Sequence, residues 1–182
     1  MISLHPRNLH FEWQPTRGPF TLITPEQATQ YDQKGYFLLE GAFSSDEMDA
    51  VADAIEPFEQ NVEAFLRTQP DGRMMIAKAD AITFTIHLVT KSELLKNFSR
   101  HGVFARLCRD IMGSQNRLYW DQAVYKKPGN PEEFPWHQDN GYTFTEPQQY
   151  LTCWVALVDA TEDNGCPWVV PGMHTGGTIR HD

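Results

Sequence analysis

The sequence is short of what a secreted, membrane-spanning or nucleic-acid-binding protein relies on. Three cysteines, Cys108, Cys153 and Cys166, stand in 182 residues. An odd number without a CxxC spacing argues against a disulfide framework and reads as buried thiols in a reducing compartment. No stretch approaches the ~18 apolar residues that a membrane helix needs, and Met1-Ile2-Ser3-Leu4-His5-Pro6 lacks the basic start and apolar run of a signal peptide. The expected location is therefore the cytoplasm. Positive charge is scarce as well: 15 Lys and Arg against 24 Asp and Glu give a net charge of -9, which works against a sequence-independent grip on nucleic acid or anionic lipid. The expected partner is a small molecule.

What is present suffices for one core. At 41% hydrophobic and 21% charged residues, the chain has the apolar content of a single globular domain. Residues 1–22 hold Pro6, Pro15, Pro19 and Gly18 without a period and read as an N-terminal arm, leaving 23–182 as the domain proper. Thr24-Pro25-Glu26-Gln27 combines an N-cap, a proline at the first helical position and a capping-box partner, which predicts a helix to about Lys34, ended by Gly35. Tyr36-Phe37-Leu38-Leu39 is a strand-type run. Ser44 or Ser45 caps a second helix whose Met48, Val51, Ala52, Ile55 and Phe58 return at amphipathic spacing. After the turn signal Pro70-Asp71-Gly72, Ile82 to Ile86 reads as extended, and helices are predicted from Ser92 and from Val103 to Met112.

From Arg117 the character changes. Strand-like runs at 118–125, 150–158 and 168–170 are separated by turns at Lys127-Pro128-Gly129-Asn130-Pro131, Asp163-Asn164-Gly165 and Pro171-Gly172. Helices first and short strands afterwards predict an α+β domain in which helices buttress a jelly-roll sheet.

The segment that carries chemistry is Pro135-Trp136-His137-Gln138-Asp139-Asn140-Gly141-Tyr142. In extended backbone, residues i and i+2 point to the same side, so His137 and Asp139 can converge while Gln138 points away. One imidazole and one carboxylate make two-thirds of the 2-His-1-carboxylate triad that leaves open positions on iron(II). Phe134, Trp136, Tyr142 and Phe144 flank the pair and can line an apolar pocket. A zinc enzyme is disfavoured, because no His-Glu-x-x-His helix or Cys/His cluster is present.

Several runs resemble, in the same order, the phytanoyl-CoA dioxygenase family of iron(II)/2-oxoglutarate-dependent oxygenases. They are Ile23-Thr24-Pro25-Glu26-Gln27 leading to Lys34-Gly35-Tyr36-Phe37-Leu38-Leu39-Glu40-Gly41, then Lys127-Pro128-Gly129, Trp136-His137-Gln138-Asp139, and Asp163-Asn164-Gly165-Cys166 through Val170-Pro171-Gly172-Met173-His174. The resemblance implies a double-stranded β-helix (cupin-like jelly roll) with iron(II) held by His137, Asp139 and a later histidine. It implies a dioxygenase in which 2-oxoglutarate and molecular oxygen are consumed, succinate and carbon dioxide released, and a small organic substrate hydroxylated or desaturated. An aspartate at 139 favours this outcome over halogenation. Lys78 resembles a lysine used against the co-substrate, and Trp154 a tryptophan lining the co-substrate pocket. Gln122, in the strand before the Lys127-Pro128-Gly129 turn, can hydrogen-bond a carboxylate, although a neighbouring register would place Asp121 inward instead.

Two parts of the pattern are not visible: a distal metal-binding histidine on a late strand, and an arginine beyond it for the far carboxylate of 2-oxoglutarate. His174 belongs to the Pro-Gly-x-His turn, and His181, next to Arg180, has no strand around it. The domain is thus expected to lack its last strands, as a fragment, as a degenerate relative or as one of two chains sharing a site. The rival function is a non-catalytic jelly-roll module that binds a small ligand or a metal. Substrate identity and oligomeric state are not legible.

Overall fold

Thr24 and Ser44 each close a full capping box, and these two caps set the first two helices. A computed structural model describes residues 3–129 and 134–181. Helix α1 runs Pro25–Lys34 and stops at Gly35, whose φ of 83 lies in the left-handed region that an L side chain rarely adopts. Helix α2 spans Ser45–Arg67 and presents Val51, Ile55, Glu59 and Leu66 to the interior. Helix α3 (Glu93–Ser99) starts from the Ser92 cap, and α4 (Gly102–Met112) from His101. Among the described residues no helix is long and apolar enough to cross a membrane.

Among the described residues one antiparallel sheet forms, in the order β1 (Arg73–Met74), β2 (Ala77–Lys78), β3 (Ile82–Ile86) and β4 (Gln122–Lys126). The β3–β4 register pairs Thr83 with Tyr125 and Thr85 with Ala123, so these side chains share the face packed on α2. Val51 and Ile55 of α2 form the core there with Leu88, Leu95 and Ala123, backed by Phe58, Phe98, Tyr125 and Leu157. Each large aliphatic side chain so buried contributes roughly 1.5–3 kcal/mol. Inside this layer Glu59, only 3% exposed, accepts hydrogen bonds from Lys127 Nζ (2.6 Å) and Thr83 Oγ1 (3.0 Å). The carboxylate is tolerated because it is paired and hydrogen-bonded.

A second buried carboxylate fastens the arm. Asp110 on α4 accepts from the backbone N–H of Thr21 (2.9 Å), Leu22 (2.7 Å) and Ile23 (3.1 Å) and from the Thr21 hydroxyl. Burial alone would raise its pKa, yet the three N–H groups and the hydroxyl outweigh that and hold it below its ordinary value. Further along the chain, the turn at 171–174 docks on the end of α1. Gly172 N donates to Lys34 O (3.0 Å), and His174 Nε2 lies 3.1 Å from Asp32 O. A Cβ on Gly35 would sit 2.5 Å from His174 Nδ1.

Three expectations need correction. Residues 150–158 and 168–170 form no ladder, and neither does Tyr36 to Leu39: a strand exists only where a second strand pairs with it. The strand expected from Leu118 begins at Gln122, where pairing with Ile86 starts. The cysteines are free but half-buried, not buried. The Asn130-Pro131 part of the expected turn lies outside the described residues.

Candidate functional site

The face of the sheet opposite α2 holds several of the candidate residues. Directly opposed residues of an antiparallel ladder point to one side, so the pairs Lys78–Ile82, Phe84–Val124 and Ile86–Gln122 place Lys78, Phe84 and Gln122 together on that face. Phe84 meets Phe134 (centroids 5.7 Å apart), and Phe134 in turn packs on His137 at 4.8 Å. The segment bearing His137 is thereby laid across the open face.

Gln138 is extended (φ -111, ψ 135), and Asp139 opens a short helix, α5, at Asp139–Tyr142. The extended residue between them turns His137 and Asp139 to one side, and His137 Nε2 lies 3.1 Å from Asp139 Oδ1. Gln138 turns the other way and clips the C-terminal segment, its Oε1 accepting from Ile179 N at 2.7 Å. His137 Nδ1 is 2.8 Å from Pro135 O. A proton on Nδ1 donated to that carbonyl holds the ring with Nε2 facing Asp139, the nitrogen through which it hydrogen-bonds the carboxylate or can meet a metal. On the carboxylate's other side, Thr152 Oγ1 donates to Asp139 Oδ2 at 2.6 Å.

The hydrogen bond to Asp139 raises the His137 pKa, opposed by partial burial and aided by the Pro135 carbonyl. Reciprocally, the bond from His137 lowers Asp139, opposed by burial and aided by Thr152. Donor atoms in adjacent octahedral positions, each ~2.1 Å from one ion, stand about 3 Å apart. The 3.1 Å observed therefore fits a shared metal, which would compete with the proton now between the two groups.

The remaining residues singled out in the sequence are placed as follows. Gln122 opens β4, exposed, with Oε1 accepting from Trp120 Nε1 at 3.0 Å, while Asp121 instead accepts from Val89 N. Exposure alternates along 151–158, with Leu151, Cys153, Val155 and Leu157 the more covered and Thr152, Trp154, Ala156 and Val158 open. Trp154, 58% exposed, thus shares its side with Thr152 and the pair. Tyr142 bridges His137 (5.8 Å) and His181 (4.9 Å), but His181 Nε2 accepts from Gln138 N, and His174 is packed between Trp13 and Tyr31. Phe144 stacks on His5 instead of lining the pair. Among the described residues no group of three His, Cys, Asp or Glu converges as a metal site. An open hollow of about 260 Å³ lined by Tyr36, Glu162, Cys166, Pro167, Trp168 and Val169 shares no residue with the pair.

The sequence profile of the phytanoyl-CoA dioxygenase (PhyH) family matches residues 31–182. The chain belongs to this family. It is 25% identical over 190 residues to a phytanoyl-CoA dioxygenase of Arabidopsis thaliana, a match covering 87% of this chain and 67% of the relative. It is 26% identical over 197 residues to phytanoyl-CoA dioxygenase domain-containing protein 1 of Bos taurus, covering 87% and 68%. Against the ectoine dioxygenase of Bordetella bronchiseptica the identity is 28% over 156 residues, covering 84% of this chain and 50% of that one. No solved structure matches significantly. Membership supports an oxygenase of small molecules. Thr152 escaped the sequence reading; its signal was the two-residue spacing from Trp154 on a run of strand type.

Proposed function

We propose that the protein is an iron(II)- and 2-oxoglutarate-dependent dioxygenase that hydroxylates or desaturates a small organic substrate. The observation that carries the reading is the convergence of His137 Nε2 and Asp139 Oδ1 on one point in a chain of this family. When bound, iron(II) supplies the redox chemistry by which molecular oxygen decarboxylates 2-oxoglutarate and oxidises the substrate. The protein's part is to hold and orient. His137, its ring fixed by the Pro135 carbonyl, and Asp139, its carboxylate fixed by Thr152, offer two donors. In this reading Lys78 and Gln122 serve the carboxylates of 2-oxoglutarate and Trp154 walls the pocket. Lys78 contributes a charge-assisted bond, Gln122 a neutral one.

The fold would be a double-stranded β-helix, with residues 150–158 and 168–170 becoming strands when paired. The alternating exposure along 151–158 and the uncovered side chains of Val158, 76% exposed, and of Trp168 to Val170 support this. A third metal ligand and an arginine for the far carboxylate would come from protein outside residues 1–182, in the part of the relatives that the chain does not match. A cytoplasmic location follows from the free thiols in this reading.

The test is oxygen-dependent succinate release from 2-oxoglutarate with iron(II), comparing the full-length protein with its Asp139→Ala variant. Loss in the variant is expected, and unchanged release would refute an iron role. The second reading, a module that binds metal or ligand without oxidation, is favoured by the convergence of only two donors among the described residues. It expects metal binding without succinate release in either protein.

A further inference from the structure

We infer that Thr152 is a positioning residue that holds Asp139 as a one-oxygen donor, by occupying Oδ2 and leaving Oδ1 turned to His137; this rests on the metal reading above.

A carboxylate can meet a cation with one oxygen or with both. An aspartate at the start of a four-residue helix, with its side chain partly in solvent, has little of its own to choose between them. Here the two oxygens are distinguished. Oδ1 faces Nε2 of His137 at 3.1 Å, and Oδ2 accepts the Thr152 hydroxyl at 2.6 Å, a short charge-assisted bond.

The donor is well held. Threonine is stiff at χ1 because of its branched Cβ. Its neighbours along the run, Leu151 and Cys153, are the more covered residues, and Leu157 is packed against the core of α2, β4 and α3. The hydroxyl therefore projects from an anchored stretch of chain and not from a loop tip. Holding Oδ2 prevents the carboxylate from swinging round to take a second position on the ion. That position is one that a co-substrate-binding metal must keep open. Outer partners of this kind typically change metal affinity by 10–100-fold when lost.

Thr152 is exposed, so Thr152→Val, which keeps the branched shape and removes the hydroxyl, should fold as the parent does. Cobalt(II) serves as the probe, followed by calorimetry and by its visible absorption bands. The parent is expected to bind one ion, Thr152→Val to bind it with an affinity changed by about 10–100-fold and with shifted bands, and Thr152→Ser to restore both. Circular dichroism and the thermal midpoint should not move. If Thr152→Val matches the parent in affinity and spectrum while Asp139→Ala loses the ion, the metal reading stands and the positioning role is refuted. If the parent binds no cobalt(II), or Asp139→Ala binds it equally, both fall.

Discussion

Replacing Asp110 with alanine should loosen the connection between the arm and the rest of the domain. The carboxylate is 6% exposed and serves four donors, and these differ in what they lose. Thr21 is exposed, so water can replace the bonds to its N–H and hydroxyl. Ile23 N–H is buried and Leu22 N–H half-buried. Each buried donor left without an acceptor costs ~1–3 kcal/mol, so the two together imply a loss of roughly 2–5 kcal/mol. A typical domain has only about 5–15 kcal/mol to lose. Urea unfolding followed by tryptophan fluorescence measures it, with an unchanged m-value showing that the same surface is exposed. Asp110→Asn, which keeps one accepting oxygen, should recover part of the loss. Because the folded pKa lies below the ordinary 3.8, the stabilisation is complete above that value and disappears as pH falls through the folded pKa. The difference between parent and Asp110→Ala should therefore shrink in acid. A loss below about 1 kcal/mol at neutral pH, or one that does not diminish in acid, would refute the reasoning.

Lys127→Met leaves the Glu59 carboxylate buried without its cation and should cost about 3–5 kcal/mol in the same assay, whereas pairing it with Glu59→Leu should bring stability back to near the parent. A double variant that loses as much as the two single variants summed would show that the pair is not energetically coupled. Leu66→Ala, at a side chain 1% exposed, should cost about 2–5 kcal/mol through lost burial and the cavity left behind. A smaller loss would mean that the surroundings collapse into the gap. Asp139→Ala should leave unfolding by urea within about 0.5 kcal/mol of the parent, as for a surface substitution, so that loss of succinate release reports on the site and not on the fold.

The local parts of the architecture were legible because their causes are local. Thr24 and Ser44 carry complete capping boxes, Gly35 a left-handed stop, and Ile82 to Ile86 a β-branched run, and each forms the element its residues specify. The same holds for His137 and Asp139, since one extended residue between them decides that they face one another. What stayed hidden depends on partners distant in sequence. The strand-type runs at 36–39, 150–158 and 168–170 have the composition of strands, but composition cannot supply a ladder. Gln122 and Lys78 share a face because of register, which no short window reveals. Thr152 was missed because a threonine in a strand-type run ordinarily signals nothing beyond β-propensity.

The contact between Gly35 and His174 makes residues far apart in the sequence inherit one another's constraints. A side chain larger than hydrogen at 35 meets the His174 ring, and the turn carrying that ring is hydrogen-bonded to the last turn of α1. In evolutionary terms the Lys34-Gly35-Tyr36 run and the Pro171-Gly172-Met173-His174 run are one joint written in two places. A change at either is accepted or rejected according to what stands at the other. Grafting either run alone into a relative at 25–28% identity therefore carries half a joint, and the two are best exchanged together.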